Sequence, residues 1–477
     1  MALTRILLWL GNSFVLSAII LAITAFAGAL FLEIDQAITF AILAILVGIL
    51  GALLILLTHN TPSRETNADA LLFLILFWLI MPLVTMMPFI MTGEAETFVQ
   101  GYFESVSAIT TTGASTLSAN GLSRTLLFWR SLLQWFGGLS AATFAVVILA
   151  ALNLSGTGIH RSMLFTLKKG ELFQRLIGIG RVIAILYFSL SALCFIGLAL
   201  TGTPLFEALC LSLTSISTGG LTPRDGPLAA YVGPIGSLVL AVFCMAGAFS
   251  IAVVWDFVRT PGTRGVKPLY NNVEHRGLFV IIGLLIVLGI IFALPEEIAT
   301  VLPEAIYFAT STGYDYHVIG IDMIPATPLI AIALIGGAAL STAGGVKIIR
   351  LLLLFRHLGT YLGRLSHPSR TIPVSFRGNV VPDRAFLSIW MYFLGFTLAF
   401  SAGIVLFGVS GIEFETAVAA SAASIANMGP LLDTVMTGTS FADFKDSQLL
   451  LAASLMLVGR IEVLAAFAGL FSILRRH

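Results

Sequence analysis

Ser107-Ala-Ile-Thr-Thr-Thr-Gly113, Ser212-Leu-Thr-Ser-Ile-Ser-Thr-Gly219, Phe308-Ala-Thr-Ser-Thr-Gly313 and Ser424-Ile-Ala-Asn-Met-Gly429 decide how this chain is read. In each, a short apolar stretch runs into a glycine flanked by small polar residues, and a long apolar segment follows. The four glycines stand 106, 94 and 116 residues apart (113 to 219, 219 to 313, 313 to 429), which makes the chain a divergent fourfold repeat. That period is longer than the units of solenoids and fits whole membrane modules. Four such loops meeting on one axis can replace the water shell of a cation with carbonyl oxygens.

Composition makes the bilayer the main solvent. Of the 477 residues, 58% are hydrophobic and only 10% charged, against about 25% charged in a soluble domain. Mean hydropathy is +1.01. The formal net charge of +1 is neutral on the question of nucleic acid, which is not among the expected partners; membrane lipid is. Cys194, Cys210 and Cys244 sit in apolar runs without metal-ligand spacing and read as buried, reduced thiols. The first apolar stretch, 6–32, is too long for a signal-peptide core and reads as a retained membrane helix.

A helix needs about 20 apolar residues to cross the hydrocarbon core. Ten stretches qualify: 6–32, 36–58, 69–92, 125–152, 176–201, 232–258, 276–294, 327–356, 384–408 and 446–474. Between the third and fourth, fifth and sixth, seventh and eighth, and ninth and tenth lie the short pieces that carry the glycine motifs. The fold class is therefore all-α integral membrane, with four helix–pore loop–helix units around a central pore and two extra N-terminal helices. The expected divisions are 1–66 for the extra pair, then repeats at 67–165, 166–265, 266–370 and 371–477. Lys and Arg concentrate opposite the glycine loops, at Arg161, Lys168, Lys169, Arg259, Arg264, Lys267, Arg350, Arg356 and Arg364, while Glu94, Asp315, Asp322, Asp433 and Asp443 lie on the glycine side. The basic side belongs in the cytoplasm. Both termini then fall inside and the loops open outward.

A re-entrant loop leaves backbone groups unpaired, which is tolerated in a membrane only where the loop lines a wet cavity. Glycine there can take positive φ and let successive carbonyls point one way. The candidate ion ligands are accordingly Thr110, Thr111, Thr112 and Gly113; Ile216, Ser217, Thr218 and Gly219; Thr310, Ser311, Thr312 and Gly313; and Ala426, Asn427, Met428 and Gly429. The short helices before them aim the negative ends of their dipoles at the pore centre. Acidic residues near the other ends of those helices, such as Glu304 and Glu413, read mainly as helix N-caps. A single Thr-Gly turn between spans would mean little; four at matching positions mean a pore.

These residues carry a resemblance. Glu104-Ser-Val-Ser-Ala-Ile-Thr-Thr-Thr-Gly113, Ser217-Thr-Gly-Gly220, Ser311-Thr-Gly-Tyr314, Asn427-Met-Gly-Pro430, Trp129-Arg-Ser-Leu-Leu-Gln-Trp-Phe-Gly-Gly138, Ser341-Thr-Ala-Gly-Gly-Val-Lys347 and Gly459-Arg-Ile-Glu462 resemble the Trk/Ktr/HKT superfamily of potassium transporters. The two extra N-terminal helices look like its bacterial Trk-type branch. The resemblance implies K⁺ as transported ion, one selectivity site built on the four loop glycines, and preference for potassium over sodium because none of the four is serine. It also implies a homodimer in the bacterial inner membrane, resting on a cytosolic ring of nucleotide-binding regulatory subunits. No Walker motif or strand-borne G-x-G-x-x-G is present, so nucleotide would act only through that partner.

The eighth span contains Gly336, Gly337, Ser341, Thr342, Ala343, Gly344 and Gly345, with Lys347 following. Each glycine costs a helix about 1 kcal/mol relative to alanine. Close packing through small residues is one reading of the stretch; the resemblance implies an irregular intramembrane gate. Arg460 lies near the middle of the last span, where a charge is expensive and functional by default. It reads either as half of a buried interhelical salt bridge or, as the resemblance supports, as a fixed positive barrier beside the pathway, and Lys347 as a side chain snorkelling to the cytoplasmic interface. Two other functions stay open on these residues: a sodium-permeable or cation-coupled symporter of the same architecture, and, remotely, a membrane-embedded enzyme. The seven scattered histidines offer no convergent catalytic set, and no enzyme is expected.

Overall fold

The computed structural model describes residues 3–58, 67–151, 172–260, 263–292, 298–316, 321–366, 375–376, 379–380 and 383–461. Among them the chain is all helical apart from a two-residue antiparallel pair, Ser375–Phe376 with Asn379–Val380. Helices α1 (Leu3–Leu30) and α2 (Ile34–Thr58) form an N-terminal hairpin. Gly11 and Gly51 face each other where these helices cross, and a Cβ on Gly51 would stand 2.8 Å from the Gly11 carbonyl oxygen. Small residues that let backbones approach are how membrane helices gain packing without a hydrophobic drive. The outer flank of α2 carries exposed Ile42, Ile45, Leu46, Ile49, Leu53 and Leu57, which suits lipid.

Four units follow. The first is α3 (Asn67–Thr85) with a short continuation α4 (Met87–Met91), half-crossing helix α5 (Phe98–Ile109) and α6 (Arg124–Ala151). The second is α7 (Leu172–Leu200), half-crossing α8 (Leu205–Ile216), and α9 (Pro234–Ala248) with α10 (Ile251–Arg259) and α11 (Thr263–Asn271). The third is α12 (Val273–Phe292), half-crossing α13 (Ile298–Ala309), α14 (Ala326–Ile335) and α15 (Ile348–Ser366). The fourth is α16 (Asp383–Val409), half-crossing α17 (Phe414–Ile425), a short α18 (Leu431–Val435) and α19 (Asp446–Ile461). Each half-crossing helix has 12 residues, about 18 Å, against a hydrocarbon core of about 30 Å. Such a helix must stop inside the membrane. The alanine-rich α17 is almost wholly buried, with Ala417, Ala419, Ala420, Ala422 and Ala423 letting its neighbours close around it.

The ten-span reading holds, with one correction. The expected sixth span, 232–258, is not one helix: α9 and α10 meet at 107° around Phe249 and Ser250. The polar groups freed by this break have partners. The Ser250 N–H donates to Nε2 of the buried His275 at 3.0 Å, and the Ile251 N–H donates to the Leu340 carbonyl at 2.8 Å. The Ala248 carbonyl accepts from the Ala338 N–H at 3.2 Å. These partners come from α12 and from the segment between α14 and α15, and a sequence window one span wide does not contain them. The N-terminal hairpin is likewise fastened to the first unit. Glu33 accepts from the Arg124 and Thr125 N–H groups at 3.0 and 2.9 Å, capping α6 from outside its own chain segment. Arg161, Lys168, Lys169, Glu462 and everything after it lie outside the described residues.

Candidate cation pathway

The four half-crossing helices end alike. After Ile109, Ile216, Ala309 and Ile425 comes a C-cap residue, Thr110, Ser217, Thr310 or Ala426, and then a residue with left-handed backbone. Those residues are Thr111, Thr218, Ser311 and Asn427, at φ of 54°, 50°, 58° and 50°. A non-glycine residue pays for that conformation, and such costs persist where the surrounding structure imposes them. The next N–H in each loop reaches back into its helix: Thr112 to the Ser107 carbonyl, Gly219 to Thr214, Thr312 to Tyr307 and Met428 to Ala423, all at 2.8 to 3.0 Å. The fourth step is then Gly113, Gly220, Gly313 and Gly429.

This register corrects the second loop by one residue. Gly220, not Gly219, is equivalent to the other three glycines, and Ile216 belongs to the buried end of α8 instead of to the loop. Two successive glycines satisfy the spacing equally well in sequence; the hydrogen bonds back into α8 decide between them. At the third step the hydroxyls of Thr112 and Thr312 pair with those of Thr110 and Thr310, at 2.7 and 3.0 Å. Asn427 spans to loop one, its Nδ2 donating to Thr112 Oγ1 at 2.9 Å, and the Gly429 N–H donates to the Thr112 carbonyl at 2.6 Å.

Glycines on the flanking spans let the loops approach. A Cβ on Gly137 would collide with the Ile109 carbonyl, one on Gly247 with the Ile216 carbonyl and one on Gly459 with the Ile425 carbonyl. Three spans thus press backbone against the ends of three half-crossing helices. The outward strands after the loops are held by carboxylates. Glu104 and Glu304 stand at the same position of α5 and α13; Glu104 accepts from the Thr116 N–H at 2.5 Å and Glu304 from the Ile321 N–H at 3.0 Å. In the second unit Glu207 pairs with Arg224. These side chains clamp loops, and Glu304, which reads as an N-cap in the sequence, does not cap its own helix. Glu413 stands at the N-cap of α17 without a side-chain cap bond.

Outside the loops lies a cavity of about 310 Å³ lined by Gly113, Gly220, Gly313 and Pro430 at its floor and by Asp225, Asp315, Asp322 and Asp433 on its walls. Asp225 accepts from the Ala119 and Asn120 N–H groups at 2.8 and 3.0 Å, tying unit two to unit one. Asp322 and Asp433 are open to the cavity but walled by protein behind, which pushes their carboxyls up to about 7 and about 6; neighbouring Asp315 and Asp443 add to the rise. Hydrogen bonds from Ser118, Asn120 and Ala119 outweigh burial at Asp225 and hold its carboxyl below the usual range.

Beneath the loops runs the segment 336–347, buried throughout. It crosses between units: the Thr342 hydroxyl donates to the Gly247 carbonyl at 3.1 Å, and the Gly344 N–H donates to Ser311 Oγ at 2.9 Å. Its return strand bonds to α14, Val346 N–H to Leu334 and Lys347 N–H to Ile335, both at 2.9 Å. A Cβ on Gly344 would collide with the Ala426 carbonyl. Arg460 binds both layers. Its guanidinium donates to the Thr110 carbonyl and Thr111 hydroxyl of loop one and to the Thr342 carbonyl of the crossing segment, the last at 2.6 Å. Lys347 does not snorkel. It is 7% exposed, its backbone is left-handed at φ 76°, and its ammonium donates to the Ser341 and Ala343 carbonyls. The helix break turns its side chain back into the segment.

Motif and spacing assign no individual role to Gln134, Arg130, Tyr314 or His275; the structure gives each one. Gln134 Nε2 donates to the Gly219 carbonyl at 2.5 Å, and Arg130 donates to Ser115 Oγ and the Thr222 carbonyl at 3.1 and 3.2 Å. Tyr314 bonds Thr214 of α8 through its hydroxyl at 2.5 Å. The first two lie in the Trp129–Gly138 motif, where four-residue spacing on one helix face was the available signal.

Paired spans around half-crossing helices whose strained ends converge on one axis, with an acidic antechamber above, define a pore-loop membrane transporter. The model of the TrkH family, described as a cation transport protein, matches residues 36–295 and 311–474, and the chain belongs to that family. It is a transport family, not a family of enzymes. Among relatives, the Trk system potassium uptake protein TrkG of Escherichia coli K12 is 30% identical over 433 residues, 87% of each chain. The Trk system potassium uptake protein TrkH of Salmonella typhimurium is 28% identical over 434 residues, again 87% of each. The fold matches the crystal structure of the potassium transporter TrkH from Vibrio parahaemolyticus with TM-score 0.87, 24% identity and 98% of both chains covered.

Proposed function

We propose that this protein takes up K⁺ across the bacterial cytoplasmic membrane through a single filter formed by Gly113, Gly220, Gly313, Gly429 and the residues just before them. The observation that carries this reading is the left-handed step at Thr111, Thr218, Ser311 and Asn427, identical in four loops of different sequence. It turns the loop backbone at one depth in all four units, as an oxygen cage for a bare monovalent ion requires. The relatives named as Trk system potassium uptake proteins supply the ion. The interior-negative potential supplies the drive, about 2.3 kcal/mol per charge per 100 mV.

In this reading the segment 336–347 is the gate, held shut by Arg460 and Lys347, and both termini lie in the cytoplasm. The protein works as a homodimer, with a cytosolic nucleotide-binding ring as its regulatory partner. The basic ends of α10, α11 and α15 form the landing surface for that ring. The test is uptake of Rb⁺ and Na⁺ into proteoliposomes by the natural chain and by Gly113→Ser. A Cβ at Gly113 would strike the Gly219 carbonyl, so the variant is expected to lose its Rb⁺ preference. Equal Rb⁺ and Na⁺ flux through the natural chain would refute the potassium assignment and place the protein among sodium-permeable transporters.

A further inference from the structure

The four filter loops differ at the third step, where Thr112, Thr312 and Met428 have side chains and Gly219 has none. In loops one and three the threonine at this step bonds the hydroxyl two residues earlier. Loop four is braced at the preceding step, where Asn427 Nδ2 donates to Thr112 Oγ1 and to the Met456 carbonyl, each at 2.9 Å. Loop two, with Gly219 and Gly220 in succession, has the greatest backbone freedom. At the preceding step Thr218 donates to Thr342 Oγ1 of the crossing segment at 3.1 Å, and at the third step the loop has no side chain of its own.

Gln134 of α6, in the neighbouring unit, takes the missing place. A Cβ on Gly219 would fall on the Gln134 carboxamide. That carboxamide holds the loop on both sides of Gly220: Nε2 donates to the Gly219 carbonyl at 2.5 Å and Oε1 accepts from the Leu221 N–H at 3.4 Å. Gln134 is fully buried. One turn earlier on the same face, Arg130 bonds the outward strands of loops one and two, and one turn later Gly137 and Gly138 abut Ile109 and Ser217. The face 130, 134, 137 and 138 is therefore a template for two adjacent filter loops.

We infer that Gln134 is a specificity-determining positioning residue: it serves as a side chain supplied in trans to loop two and sets where the Gly219 carbonyl stands in the filter. The inference rests on the cation-pore reading. Losing one buried amide clamp shifts a loop by an amount that selectivity registers, about tenfold in discrimination.

The test uses the full-length chain in proteoliposomes, reading the Rb⁺ to Na⁺ flux ratio alongside melting temperature. Gln134→Met keeps the volume without the amide and is expected to lower the ratio about tenfold. Gly219→Thr alone is expected to lower it too, because the new side chain strikes Gln134. Gln134→Ala combined with Gly219→Thr is expected to recover most of the ratio, since the introduced threonine hydroxyl can then bond Ser217 as Thr112 bonds Thr110. An unchanged ratio in Gln134→Met, or a double variant no better than Gly219→Thr alone, overturns the inference. Should Gln134→Met not reach the membrane, the double variant decides by itself. A natural chain without Rb⁺ preference would instead refute the potassium reading before any variant is compared.

Discussion

Thr111, Thr218, Ser311 and Asn427 share a backbone conformation across three kinds of side chain, and glycine appears in none of these places. Their sequences fit the motif, yet the costly step is invisible until φ is known. The same holds for Lys347, whose charge and position suggested the interface and whose left-handed backbone sends it inward. The vestibule carboxyls yield a pH prediction at this scale. Asp322 and Asp433 have raised pKa values, about 7 and about 6, chiefly from burial. A raised carboxyl is neutral below its pKa, so the vestibule gains negative charge as external pH climbs through that interval. Rb⁺ uptake at subsaturating concentration should accordingly rise severalfold from about pH 5 to about pH 8. In Asp322→Asn with Asp433→Asn that slope should flatten; a slope retained in full would show that other groups titrate.

At the scale of elements, the informative places are the two breaks, α9 to α10 and α14 to α15, which meet through Ala248 with Ala338 and Ile251 with Leu340. Each break satisfies backbone groups exposed by the other, the condition for irregular chain at membrane depth. Glycine content marked the second break in sequence. The first carried no such mark, because its cause is a partner in another unit, including His275 held between the Ser250 N–H and the Leu269 carbonyl. The crossing segment is stitched by the Lys347 ammonium on the Ser341 and Ala343 carbonyls. If that segment closes the pore, Lys347→Met removes the stitch and basal Rb⁺ flux should increase severalfold at unchanged Rb⁺ preference. Flux equal to or below that of the natural chain would remove Lys347 from the closing mechanism.

For the whole molecule, the orientation proposed from the charge asymmetry can be measured. Cys194, Cys210 and Cys244 are buried, so a membrane-impermeant maleimide has little background. Asn120→Cys, on the exposed rim beside the vestibule, is expected to label from outside intact cells. Gly359→Cys, exposed on α15, should label only after permeabilisation. The reverse pattern would invert the protein and with it the direction assigned to the vestibule. The sequence by itself determined the membrane class, the ten spans, the fourfold plan and the family, since hydropathy and a repeated motif are local and survive divergence. Only the tertiary structure decided which glycine of the pair in loop two belongs to the ring, where the sixth span breaks, and what Gln134, Glu104 and Arg460 hold. Each of those depends on hydrogen bonds between segments far apart in the chain, 85 residues for Gln134 and 350 for Arg460, or, for Glu104, on a clamp folded back across its own loop. In a bilayer every buried backbone polar group must find such a partner, and the fold alone brings the two together.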